Sequence, residues 1–449
     1  EIEFSDWSSD VCSSDLNTII ACLMNLLGGA IIGYNSGIVS GMSHPFIACT
    51  LFEDTSTINV SLLQGFFTAS ILVGAAIGSP LGVAIQKKWG MKLALYVMGA
   101  IALVFPILMI LYKNYYYITI MRGFLGLSVG FSSALCSLYA NSLVRDEIKG
   151  RIGSIFQLSV TLFIFLAQLM NYFFVDEFDV TNCKPLTDLS WKIQLGLSSI
   201  IGLAVIITMI FAPEMRPVVE KRGTASSRTS ESLFSKKNAR WVFFALMLAV
   251  MNQLTGINGV MYYAAQILAS AGIQNVLLTQ LLVVGLWNML TVFIFMAIVD
   301  KMSRKRIFTI ALAIMIAGTI ALIISFMVQG LSVVAMAGMI FYLLGFETGP
   351  GPLFYVMATQ DFPPHLVNQG LSLSNILLYV LNIALSLSFP MITEAIGAGF
   401  TFVILCGFEV VCLLYFGLYS TEKKSIPVQG KPSVPSPIAT SVTDRKSVV

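Results

Sequence analysis

The chain has 449 residues, of which 57% are apolar and only 11% charged, with a formal net charge of +3. A soluble domain usually carries about a quarter charged residues, so the composition excludes one and defines an integral membrane protein. The slight basic excess lies in loops and does not call for a nucleic-acid partner. In chain order, residues 1–16 and 444–449 correspond to translated sequencing-library adapters at the two ends, and we set both aside as non-native. Without them the net charge is about +7.

Twelve apolar stretches of about 20 residues fill the rest. They run over 17–41, 59–84, 92–112, 116–141, 152–175, 191–212, 241–268, 274–299, 306–328, 332–360, 368–393 and 397–419. The loops after the second, fourth, sixth and eighth hold Lys87, Lys88, Arg145, Arg216, Lys236 and Arg304 among other bases, whereas the opposite loops hold Lys113, Lys184 and Lys192. Basic residues mark the cytoplasmic side, so both termini are expected there. Asn59-Val60-Ser61 is then an outward N-x-S sequon that abuts the second stretch. Cys22, Cys136, Cys406 and Cys412 fall inside stretches, where a packed free thiol is the default. Cys49 and Cys183 fall in outward loops, where either a free thiol or a disulfide is open.

Residues 213–240 are rich in Ser, Lys and Arg and read as a cytoplasmic linker between an N-terminal six-helix bundle, 17–212, and a C-terminal one, 241–423. Residues 424–443 form a Pro- and Ser-rich tail of disordered character. The halves echo each other: the second stretch ends in Q-K-K-W-G-M-K (Gln86 to Lys92), the eighth in V-D-K-M-S-R-K-R (Val299 to Arg306). Weak internal symmetry of this kind is typical of transporters. The expected fold is an all-α membrane protein of twelve transmembrane helices in two six-helix pseudo-symmetric bundles.

The seventh stretch is the most informative. Asn252 to Tyr263 reads N-Q-L-T-G-I-N-G-V-M-Y-Y, polar groups inside an apolar segment. On an ideal helix Asn252 and Tyr263 share a face, with Gln253 and Asn258 roughly 100–120° to either side. Gly256 and Gly259 give the helix room to deform. A buried amide without a partner costs about 1–3 kcal/mol, so this helix is expected to face a polar cavity that takes an uncharged, polyhydroxylated ligand.

Several segments together resemble the sugar-porter branch of the major facilitator superfamily, and within it the facilitative hexose transporters. They are G-Y-N-S-G (Gly33 to Gly37), Arg122-Gly123, F-Q-L-S (Phe156 to Ser159), P-E-M-R-P (Pro213 to Pro217), the Asn252 segment and F-E-T-G-P-G-P (Phe346 to Pro352), in family order over 17–423. The resemblance implies the major facilitator fold and a hexose site between the halves near the bilayer midplane. It puts Gln157, Asn252, Gln253, Asn258, Asn288, Glu347 and Asn375 on sugar-contacting positions and Phe346 on an aromatic contact. Each Asn or Gln offers donors and an acceptor, which suits hydroxyls, although a lone intramembrane amide serves equally to bond a neighbouring helix. Tyr262 and Tyr263 resemble the outer gate pair. Gly349, Pro350 and Pro352 break the tenth stretch after the intramembrane Glu347, as a gate hinge would.

The chain departs from the family at Asn252 (for Gln), Tyr355 and Ile376 (each for Trp), Phe354 (for Pro), Ser142 and Gln360 (each for an acid), and in the eroded basic turns Gly90-Met91-Lys92 and Ser303-Arg304-Lys305. These changes imply a thinned inner salt-bridge network and an inner gate less tightly locked than in relatives. Proton-coupled relatives carry Asp where this chain has Asn35, near Arg122, and an amide carries no proton. The resemblance therefore implies a facilitative uniporter. The alternatives are a proton symporter using Glu347 or Glu409, the latter without an assigned family counterpart, and a non-transporting sugar sensor of the same fold. The two histidines, His44 and His365, form no catalytic or metal-ligand cluster, so neither an enzyme nor a bound metal or cofactor is expected; the expected partners are a hexose and the lipid bilayer.

Overall fold

A computed structural model describes residues 4–52, 59–145, 148–176, 178, 184–213, 233–298, 301–328, 330–363 and 365–419. Its elements are helices. In the first half they are α1 (Phe4–His44), α2 (Val60–Trp89), α3 (Met91–Met109), α4 (Tyr115–Leu143), α5 (Lys149–Phe174), α6 (Asp188–Gly196) and α7 (Ser198–Phe211). The second half contains α8 (Ala239–Gln253), α9 (Ile257–Tyr262), α10 (Ala264–Ser270), α11 (Val276–Gln280), a π-helical turn (Leu281–Trp287), α12 (Asn288–Ile298), α13 (Arg304–Met327), α14 (Ser332–Thr348), α15 (Pro350–Gln360) and α16 (Val367–Tyr419). The starts are set by local chemistry: Asn59, Asn114 and Thr187 cap α2, α4 and α6 with their side-chain oxygens.

Eleven helical stretches among the described residues are long and apolar enough to cross a bilayer. The last, Gln369–Gly417, spans 49 residues, which as one rod would measure over twice the hydrocarbon thickness. It folds back at Gly397, whose φ of 84° and ψ of 157° are open to glycine but strained for other residues. It therefore supplies two crossings, and twelve result, as the sequence predicts.

Within the first half α2 packs on α4 and α1 on α5; within the second α13 packs on α14 and α16, and α16 on α8. Lipid supplies no hydrophobic drive between helices, so close backbone approach must hold them together. A β-carbon at Gly74, Gly126 or Gly130 would collide with the backbone of the facing helix at the α2–α4 seam, and one at Gly33 with the carbonyl of Val160 in α5. Gly318 and Gly345 play the same part between α13 and α14. Large apolar side chains such as Ile77, Ile200, Phe211 and Phe400 remain exposed, as a lipid-facing surface requires.

The halves meet along two further seams. α2 runs against α16, with Gly65 close to the Leu387 backbone, and α5 runs against the π-helical turn, where Gly285 abuts Phe165. α1 completes the contact by touching α9 and α10. One end of the bundle carries Lys87, Lys88, Lys236 and Arg304, and is called here the basic face. At the opposite face Lys113 and Lys192 lie 3.9 and 4.0 Å from Asp188, all exposed. Cys49, at that opposite face, is disulfide-bonded, whereas Cys22, Cys136, Cys406 and Cys412 are free thiols. Cys183 lies outside the described residues.

Candidate functional site

The polar segment Asn252 to Tyr263 is not the continuous helix on which its faces are read from sequence. α8 stops at Gln253, Gly256 takes the left-handed conformation (φ 100°, ψ 4°), α9 begins at Ile257, and a second interruption falls at Tyr263. Only Gly256 acts as the hinge; Gly259 is helical and instead leaves room for the Phe389 ring. The carbonyl of Thr255, freed by the break, accepts a hydrogen bond from the Tyr342 hydroxyl of α14 at 3.0 Å.

The break brings together side chains that a straight helix would hold about 140° apart. Asn258 Nδ2 donates to Gln253 Oε1 at 2.6 Å, and Gln253 Nε2 donates to Asn252 Oδ1 at 2.7 Å. Asn252 Nδ2 then reaches the carbonyls of Pro350 and Gly351 at 3.3 and 3.5 Å. Those carbonyls open α15, directly after the second break in the site. There α14 ends at Thr348, Gly349 adopts φ −132° and ψ −97°, and Pro350 starts the next helix. The three amides thus link the broken seventh span to the broken tenth. The Phe346 ring packs beside Gly351 at the same junction. An amide has two donors and an acceptor with two lone pairs, so Asn258 Oδ1 and the second N–H of Gln253 remain available to hydroxyls.

Glu347, buried on α14, is hydrogen-bonded to Gln157 on α5 of the other half, while its Oε2 has no partner among the described residues. Asn288, fully buried at the end of the π-helical turn, has neither amide atom paired among them. Asn375 is half-buried on α16, and among the described residues no hydrogen bond ties it to this set. The predicted sugar contacts therefore fall into a connected trio (Asn252, Gln253, Asn258), a cross-half pair (Gln157, Glu347) and two separate amides.

Tyr262 and Tyr263 differ in role. Tyr262 is hydrogen-bonded to Ser36 of α1 and Asn382 of α16, close to Arg122. Tyr263 donates to the Ser386 carbonyl at 2.9 Å, lies 3.3 Å from Thr68 Oγ1 of α2, and stacks on Phe389 with ring centroids 5.6 Å apart. Together they close the halves at the end opposite the basic face. Arg122 is fully buried; its Nη2 donates to the Asn35 backbone carbonyl at 2.8 Å and its guanidinium lies 4.7 Å from the Phe67 ring. The Asn35 amide turns away and donates to the Ile31 carbonyl at 2.9 Å. No acid occurs in 16–52, 55–145 or 148–175, so the sequence supplies no carboxylate to Arg122 from the spans of its own half other than the sixth.

Sequence reasoning missed Ser36 and Asn382, which bond Tyr262, and Tyr342, which bonds the Thr255 carbonyl at the helix break. Their signal was present: each is a polar side chain inside an apolar span, where it needs a partner. At the basic face, Asp361, one residue after Gln360, lies 3.4 Å from Arg304. Glu409 is fully buried in the second half, accepting from Thr319 at 2.8 Å, beside Tyr342, with its Oε2 unpaired among the described residues.

The sequence model of the family described as Sugar (and other) transporter matches residues 21–223 and 215–430, which together cover most of the chain. The chain belongs to this family of transporters, which are not enzymes. It is 24% identical to the glucose transporter GlcP of Staphylococcus epidermidis over 89% of this chain and 93% of that one. It is 26% identical to the galactose-proton symporter of Escherichia coli strain K12 over 93% and 94%. In three dimensions it resembles a D-xylose-proton symporter (TM-score 0.78, 23% identity, 90% and 98% covered) and the xylose transporter XylE from E. coli in an inward-open conformation (0.77, 22%, 91% and 98%), which fixes the major facilitator fold.

Proposed function

We propose that this chain is a facilitative transporter of a glucose-like hexose, working by alternating access across a plasma membrane with the basic face and both termini in the cytoplasm. The observation that carries the sugar reading is the amide relay Asn258–Gln253–Asn252, which ties together the two helix breaks and leaves unpaired donors and acceptors for hydroxyls. Gln157, Asn288, Glu347, Asn375 and Phe346 complete the sugar site in this reading. Gly349, Pro350 and Pro352 form the hinge of one gate, and Tyr262 and Tyr263 the other.

Asn35 supports uniport. A proton carrier beside Arg122 needs a carboxylate, and an amide at that position holds no transferable proton. The second reading, proton symport, rests on Glu347, the ionisable group that bridges to Gln157 across the halves. Uptake of radiolabelled glucose, with fructose and galactose as competitors, in a transport-null cell tests the sugar assignment and separates a transporter from a sensor. Saturable uptake supports transport; its absence in cells where the protein reaches the surface and binds sugar favours the sensor.

A further inference from the structure

The face opposite the basic one is sealed by two glutamine pairs that the sugar site does not use. Gln64 of α2 accepts from Gln266 Nε2 of α10 at 2.9 Å. Gln280 of α11 donates to Gln168 Oε1 of α5, and Gln168 Nε2 donates to the Gly37 carbonyl of α1 at 3.2 Å. Both pairs cross between the halves. Gln64, Gln168 and Gln280 are each about 1% exposed.

The two pairs are related. Gln64 is the fifth residue of α2, which begins V-S-L-L-Q, and Gln280 is the fifth residue of α11, which begins V-L-L-T-Q. The second span thus shares V-x-L-x-Q at its start with the eighth, and both end in a basic turn. Corresponding helices of the two halves therefore each extend one glutamine across the seam at the same height, in opposite directions. One latch flanks the Tyr263–Thr68 contact and the other flanks the α5–π-helix seam.

We propose that Gln64–Gln266 and Gln280–Gln168 are a symmetric pair of neutral latches that set how readily the outer gate opens. The proposal rests on the alternating-access reading above. Neutral amides suit a gate that must open in every cycle. Each amide pair holds the closed state by the net worth of a hydrogen bond, about 0.5–1.5 kcal/mol, which is small enough to be broken in every cycle. Each amide regains donors and acceptors from water on opening. The latches also hold without any carboxylate, so salt and protonation leave them unchanged.

The test reads the gate directly, without sugar. Ser40 shares the α1 face of Ser36, one turn further from the basic face, and is buried. A Ser40→Cys reporter is labelled from outside with an impermeant maleimide, and a Ser133→Cys reporter, at the contact with Tyr379 toward the basic face, is labelled from inside. Gln64→Leu and Gln280→Leu are each expected to speed outer labelling about 2- to 12-fold, the range of one net hydrogen bond. The two effects should multiply in the double variant, because the latches share no partner. Inner labelling should slow in the same variants. Gln64→Asn and Gln280→Asn keep the amide but are one methylene too short, and are expected to show the same pattern if the Leu variants fold poorly. Outer labelling at the parent rate in the Asn and Leu variants overturns the proposal. So does faster labelling at both faces, which would mean general loosening. A failure of hexose transport with this labelling pattern intact would fault the substrate reading and leave the latches standing.

Discussion

Gln253 is the middle of the amide relay, and its removal gives the sharpest prediction. Gln253→Leu keeps similar bulk in a site that is 2% exposed, but it leaves Asn258 Nδ2 and Asn252 Oδ1 without their partners at 2.6 and 2.7 Å. A buried polar group left unpaired costs about 1–3 kcal/mol. Asn258, half-buried, can turn toward water, whereas Asn252, bound to the Pro350 carbonyl, cannot turn so freely. One orphaned group and one lost sugar hydrogen bond then weaken binding by about 2 kcal/mol, or roughly 30-fold in the apparent affinity for hexose. Concentration-dependent uptake of radiolabelled glucose in proteoliposomes, normalised to reconstituted protein, measures this. Gln253→Asn should fall between parent and Leu, since it keeps the chemistry but shortens the reach. A Gln253→Leu protein that folds and transports with an apparent affinity within about twofold of the parent would refute the relay as a sugar site.

Three further outcomes follow from the packing and charges. Asn35→Asp places a carboxylate near Arg122 and should give the transporter a sugar-evoked proton influx that the parent lacks, read as external alkalinisation in vesicles. Glu409→Gln keeps an acceptor for Thr319 and should transport within about twofold of the parent, whereas Glu409→Leu should lower the thermal midpoint in detergent by removing a buried polar contact. Gly126→Ala drives a β-carbon into the Ile71 carbonyl and should destabilise the protein by about 1–3 kcal/mol, while Gly407→Ala, which meets nothing within 4 Å, should be neutral or slightly stabilising.

The crossings were legible because apolar runs of bilayer length have few other uses. The eleventh and twelfth, read at 368–393 and 397–419, are one continuous helical run in the structure but for the non-helical Gly397. Candidate site residues were legible because amides are rare and costly in such spans. Their geometry was not. Reading Asn252 to Tyr263 as one helix put Gln253 and Asn258 on different sides, and a left-handed Gly256 is what joins them. Periodicity assumes unbroken helices, so it fails at a functional break. For Tyr342 and Asn382 it was the partners, not the residues, that stayed hidden. Each bonds a residue from a distant span, Thr255 or Tyr262, and only the packed bundle sets such pairs. At the basic face Asp361, next to the Gln360 that stands in the family's acid position, lies 3.4 Å from Arg304, a pair that sequence alignment does not point to.

The central claim is passive hexose transport, and simultaneous recording of both fluxes tests it most directly. Purified protein in vesicles carrying an internal pH dye, challenged with a glucose gradient and no pH gradient, should take up glucose saturably until the two sides equalise, with no accompanying internal acidification and no loss of uptake on adding a protonophore. Acidification in step with glucose entry, or accumulation above the external concentration under an imposed proton gradient, would contradict the uniport account.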